Sequence, residues 1–128
     1  MSYYFSKTID GPFDQAVARV KAGLEKEGFG VLTEADVGRT LRDKLGVDFR
    51  PYVILGACNA PYAYRALQAE DKIGTMLPCG VIVQELAPGR VEVAAVDPVA
   101  SMGAVGNPAL EPVGREVREK LRRVVDGL

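Results

Sequence analysis

The chain has 128 residues, 48% hydrophobic and 26% charged, with a formal net charge of −1 and no histidine. That length suits one domain with a self-sufficient core; the balanced charge makes no case for nucleic acid or an anionic membrane surface, and no apolar run approaches the ~18–20 residues of a membrane span. Without histidine, Ser-His-Asp and Cys-His pairs and His-ligated zinc are excluded within the chain, so any general base must be Asp, Glu, Lys, Tyr or a thiolate.

The first eight residues, Met-Ser-Tyr-Tyr-Phe-Ser-Lys-Thr, lack the basic start and apolar middle of a signal peptide. A cytoplasmic location is therefore expected, where thiols stay reduced. Residues 2–8 alternate in character and predict a first strand. Asp10-Gly11-Pro12 is a helix start, and Phe13, Val17, Val20 and Leu24 follow at spacings of four, three and four as one buried stripe. Gly28 ends that helix, and residues 30–33 read as a short second strand. Residues 35–45 predict a second helix, with Val37, Leu41 and Leu45 every four residues and Gly38 weakening it by about 1 kcal/mol.

Residues 52–57 form an apolar strand without polar alternation, so both its faces are expected to be covered. Asn59 is a good N-cap, with Pro61 in the first turn of a helix running to about Glu70. Residues 81–86 and 90–96 are two strands joined by Ala87-Pro88-Gly89, whose Pro-Gly pair fits a type II turn. A last helix spans about 112–126, with Val113, Val117, Leu121, Val124 and Leu128 as its buried stripe. Glu111–Arg115, Glu116–Lys120 and Glu119–Arg123 are spaced for i,i+4 pairs. The order predicts an α+β domain spanning the whole chain: a twisted, mainly antiparallel sheet with the two long helices on one face. The other face is left partly apolar, and a homodimer burying it is expected.

The candidate site follows from the chain's two cysteines. If the strands around residues 52–57 and 81–86 are antiparallel neighbours, Cys58 ends one and Cys79 starts the next at the same edge. Cys58 precedes the Asn59 cap, where a helix N-terminus can activate a thiol; the alternative is a small, inert core residue. Together the two thiols could form a redox disulfide or a soft-metal site for Cu(I), with Met76 or Met102 nearby. Two cysteines alone cannot make a four-thiolate zinc site without a second subunit.

Other residues carry weaker signals. Residues 97–107 hold a single charge and read as a loop packed at a subunit interface or folded over a site. Asp97 before Pro98 caps a turn or acts as a base. Tyr52, Tyr62 and Tyr64 with Arg65 could line a pocket for an anionic or aromatic small molecule. The basic residues of the last helix are diluted by Glu116 and Glu119 and form a solvated face.

Val53-Ile-Leu-Gly-Ala-Cys58-Asn59-Ala-Pro61, then Ile73-Gly74-Thr-Met-Leu77-Pro78-Cys79-Gly80, then Val93 to Asp97-Pro98, resemble the domain-of-unknown-function family 302. Cys58 and Cys79 match its cysteine-containing branch. The resemblance implies a TATA-binding-protein-like fold, a β-α-β(4)-α core here extended by short helices, and a tendency to dimerise. It also singles out Gly56, Asn59, Pro61, Gly74, Leu77, Pro78, Asp97 and Pro98 as motif positions, and implies no reaction. Two functions are therefore expected as alternatives. One is a small dimeric module binding a small molecule, soft metal or sulfur species at the Cys58/Cys79 edge. The other is a thiol redox or sulfur-transfer enzyme, with Cys58 as nucleophile and Cys79 as resolving thiol. A purely structural protein with inert cysteines is the third possibility.

Overall fold

The computed structural model describes residues 2–128. Five strands form one antiparallel sheet: β1 (Tyr4–Asp10), β2 (Gly30–Asp36), β3 (Tyr52–Cys58), β4 (Cys79–Ala87) and β5 (Arg90–Val96). Their spatial order is β1-β5-β4-β3-β2, so β3 and β4, joined through a helical connection, and β4 and β5, joined by a tight turn, are direct neighbours. The turn between β4 and β5 has Gly89 at φ +77°, as the Pro-Gly pair requires.

The central strands take their place from the side chains they bury. Val53, Leu55 and Ala57 of β3, Val81 and Val83 of β4, and Val91, Val93 and Ala95 of β5 all point to one face. Helix α1 (Phe13–Lys26) lays Ala16, Val20 and Leu24 on that face. Helix α5 (Glu111–Asp126) adds Val113, Val117, Leu121, Val124 and Val125. The two helices cross closely at Gly23, where a Cβ would stand 3.3 Å from Val124 Cγ1. At the edge strand β1, Lys7 reaches the end of α5 and donates to the main-chain oxygens of Asp126 (3.0 Å) and Leu128 (2.7 Å), a cation at a helix C-terminus.

Shorter helices complete the chain: α2 (Val37–Leu45), α3 (Ala60–Ala69) and α4 (Pro98–Gly103), with 3₁₀ turns at Asp71–Met76 and Pro108–Leu110. The core order is thus β-α-β-β-β-β-α with insertions, as the sequence predicts. Several local expectations change. Strand β2 runs on to Asp36, which then caps α2 by accepting from the Arg39 N–H at 3.0 Å. The spacing in α2 does not mark a buried stripe, because Leu45 is 68% exposed. Residues 97–107 are no loop: Asp97 accepts from the Val99 N–H at 3.0 Å and Pro98 opens a true helix.

Of the predicted pairs on α5, Glu111–Arg115 forms at 3.2 Å. Glu116 instead meets Arg65 and Arg123 meets Glu27, each at 3.0 Å. These contacts join α5 to α3 and α1, which local spacing cannot foresee.

The second sheet face is the one turned away from α1 and α5. Ile54, Ile82 and Ala94 lie side by side across β3, β4 and β5, with Ser6 and Ala35 at the two ends of the row. Ile54 is exposed, as is Tyr4 near the edge.

Candidate functional site

The site is built where β3 ends and β4 begins. Ala57 stands opposite Cys79 in the antiparallel ladder, which brings Cys58, the next residue, beside it. Cys58 thus closes β3 at the end of the sheet where Cys79 opens β4. Both are free thiols, Cys79 buried and Cys58 half-buried.

Two of the motif residues explain how β4 is aimed. A Cβ on Gly56 would lie 2.6 Å from Pro78 Cγ and would also strike Thr33 Oγ1. Only glycine there lets the Pro78 ring fold onto β3, immediately before Cys79. The Leu77–Pro78 peptide is cis.

Asn59 occupies the N-cap position of α3, yet its side chain makes no cap bond. It turns away, and Nδ2 donates to the Glu27 carbonyl at 3.2 Å. Gly28, at φ +87°, passes directly over this amide. Asn59 thus ties the end of α1 to the start of α3, with Pro61 in the first turn of α3.

Cys58, Cys79 and Met102 line one cavity of about 20 Å³, walled by Phe29, Val113, Val117, Leu77 and Pro78, with Asn59 and Tyr62 as its polar neighbours. Tyr62 forms the outer wall, with the Arg65 guanidinium 5.5 Å and Lys120 Nζ 5.9 Å from its ring centre. Burial, reinforced by the neighbouring Cys58, pushes the Cys79 thiol up to about 11.

That shift has a consequence for stability. The folded chain holds the Cys79 proton above the ordinary thiol value of 9.0, so this contribution is complete below pH 9 and fades as pH rises towards 11. Urea unfolding at pH 8 and pH 11 should show wild type losing roughly 2 kcal/mol more than Cys79→Ala over that interval. Parallel losses in the two proteins would contradict the assignment.

The remaining candidates separate. Met76 is 44% exposed on the Asp71–Met76 turn, and neither it nor Gly74 lines the cavity. The expected Tyr/Arg pocket does not assemble: Tyr52 lies at the opposite end of β3 and Tyr64 is 65% exposed, leaving only Tyr62 beside Arg65. Asp97 is buried as the cap of α4 and pairs with Arg118 Nε at 3.3 Å, away from the thiols. Sequence reasoning did not find the walls Phe29, Val113 and Val117, whose only local signal is apolar periodicity. Among the described residues no group of three or more Cys, Asp or Glu side chains is placed to hold a metal. No described helix is long and apolar enough to cross a membrane.

A one-sheet α+β domain with two thiols at a sheet end is the class that fold and site define. The chain belongs to the family described as domain of unknown function DUF302, whose model matches residues 5–128. It is also similar to a crystal structure of an uncharacterized conserved DUF302 protein from Bacillus stearothermophilus. The identity is 28%, the TM-score 0.90, and the match covers 98% of each chain. No curated protein matches.

Proposed function

We propose that this domain is a binding module for a soft, thiophilic cation such as Cu(I), held by Cys58 and Cys79 with the Met102 thioether beside them. The observation that carries the reading is that three sulfur-bearing residues line a single apolar cavity of about 20 Å³. Thiolates and a thioether are the donors that Cu(I) prefers. The cavity admits one ion or one water, whereas organic ligands occupy sites of roughly 300–1,000 Å³.

Removing the Cys79 proton, held near 11, costs roughly 5 kcal/mol at pH 7, which a bound cation must offset. Because the ligands bind as thiolates, the affinity is expected to climb with pH. The reading places the protein in a reducing compartment such as the cytoplasm, where both thiols remain available.

Anaerobic titration with Cu(I) against a chromophoric chelator tests this. One ion per chain, with both cysteines protected from alkylation, is expected. Failure to compete with the chelator, or uptake that leaves both thiols reactive, overturns it.

Thiol–disulfide exchange is the second reading, favoured by the asymmetry between half-buried Cys58 and buried Cys79. A Cys58 thiolate would attack an external disulfide and release one thiolate. Cys79 would then attack Cys58 Sγ, releasing the second and leaving a Cys58–Cys79 disulfide. With Cys79 near 11, only about one molecule in 10⁴ carries that thiolate at pH 7, so the resolving step is slow. The metal reading is the stronger.

We also propose that the open sheet face joins two copies of the chain. The row Ile54, Ile82 and Ala94 is uncharged and central, so a two-fold axis can lay it on itself; such a patch favours a copy over a charged partner. Light scattering should find wild type dimeric and Ile82→Glu monomeric. A monomeric wild type, or a dimeric Ile82→Glu, contradicts this.

A further inference from the structure

Met102 also borders a second, larger cavity. Helix α4, the Pro108–Leu110 turn and the first turns of α5 enclose about 440 Å³. That volume lies within the range of small-molecule sites. The space exists because its walls are small: Gly103 and Gly106 bring no side chain, and a Cβ on Gly103 would meet nothing within 4 Å. Gly114 of α5 faces α4, where a Cβ would stand 3.6 Å from Val99 Cα and 3.7 Å from Met102 Sδ. The floor is apolar, with Met102 and Leu110 both buried.

Charge is confined to the rim. Arg115 Nη1 meets Glu111 Oε1 at 3.2 Å, a single contact between exposed side chains. Such a pair is weak in water and leaves most of the guanidinium N–H groups free. Asn107 does not compete for a ligand: Nδ2 donates to the Ala69 carbonyl and Glu70 Oε1, while Oδ1 accepts from the Ala109 N–H. The cavity also borders the first turn of the 16-residue α5, where Glu111 opposes the partial positive charge of the helix end, which leaves Arg115 as the anion's partner.

We infer that this cavity binds a small amphiphilic anion, with a short apolar body in the glycine-walled recess and a carboxylate on Arg115. The two readings share Met102 but neither cysteine lines this space, so binding is tested on the metal-free chain.

Octanoate and its neutral counterpart 1-octanol are the probes, followed through the Met102 methyl resonance of the full metal-free chain. Octanoate should give a saturable shift and bind about tenfold more tightly than octanol, because the carboxylate–guanidinium contact is charge-assisted. Arg115→Gln should erase that difference, and Gly103→Leu, which fills the recess, should abolish binding of both. Both substitutions fall at exposed positions, and the backbone amide spectrum verifies that each variant folds. No saturable shift overturns the inference. Equal binding of octanoate and octanol by wild type, or undiminished binding by Gly103→Leu, overturns it too.

Discussion

Cys79→Ser is expected to weaken Cu(I) binding by at least about a hundredfold, measured by anaerobic chelator competition. Loss of a group that merely orients a ligand already costs about 10–100-fold, so loss of a ligand must cost more. Cys58→Ser should do the same, because neither thiol has a substitute: the chain holds only two cysteines and no histidine. Met102→Leu keeps the apolar wall and should cost less, since it removes a neutral thioether and leaves both thiolates. Serine places a hydroxyl against Phe29 and Val117, so Cys79→Ala provides the control for folding. Equal loss in Cys79→Ser and Cys79→Ala places the effect on the sulfur. Unchanged affinity in both contradicts the proposal.

Gly56→Val should be the most damaging single change outside the helical core. Even one Cβ at this position would overlap the Pro78 ring, and valine adds two more methyl groups. Overpacking of this kind costs about 1–3 kcal/mol, and a rigid proline ring with a neighbouring strand can yield little, so the upper end is expected. The measurement is the urea midpoint. The expected effect extends to the site: if Pro78 is displaced, Cys79 moves with it, and Cu(I) affinity should fall along with stability. A Gly56→Val protein as stable as wild type would mean that the approach of Pro78 to β3 is not constrained as described.

Much of this arrangement was readable because local chemistry and tertiary packing agree. Consecutive antiparallel strands must meet at their adjoining ends, so an apolar run ending at Cys58 and another starting at Cys79 placed the thiols together. The Val20 and Leu24 stripe of α1 and the Val117 and Leu121 stripe of α5 are both buried, because one helix face must cover the sheet.

Expectations failed where a side chain had a tertiary alternative. Asn59 has good capping chemistry, but the Glu27 carbonyl offers a partner contributed by the end of another helix. Glu116 and Arg123 find Arg65 and Glu27 rather than their i,i+4 neighbours. The helix at Pro98–Gly103 was concealed by a glycine- and alanine-rich composition, although Asp97-Pro98 is itself a helix start. The tyrosine pocket failed on placement: Tyr52 and Tyr62 belong to opposite ends of β3 and its connection to α3. Met102 joins the thiols and Met76 does not, a choice that depended on where α4 packs.

The central claim is that sulfur atoms from two adjacent strand ends bind one soft cation. X-ray absorption at the copper edge of the Cu(I)-loaded protein tests it most directly. An all-sulfur first shell, lost in the Cys58→Ser/Cys79→Ser double variant, is the result the geometry predicts. A shell of nitrogen or oxygen neighbours, or the same spectrum from the double variant, would contradict it.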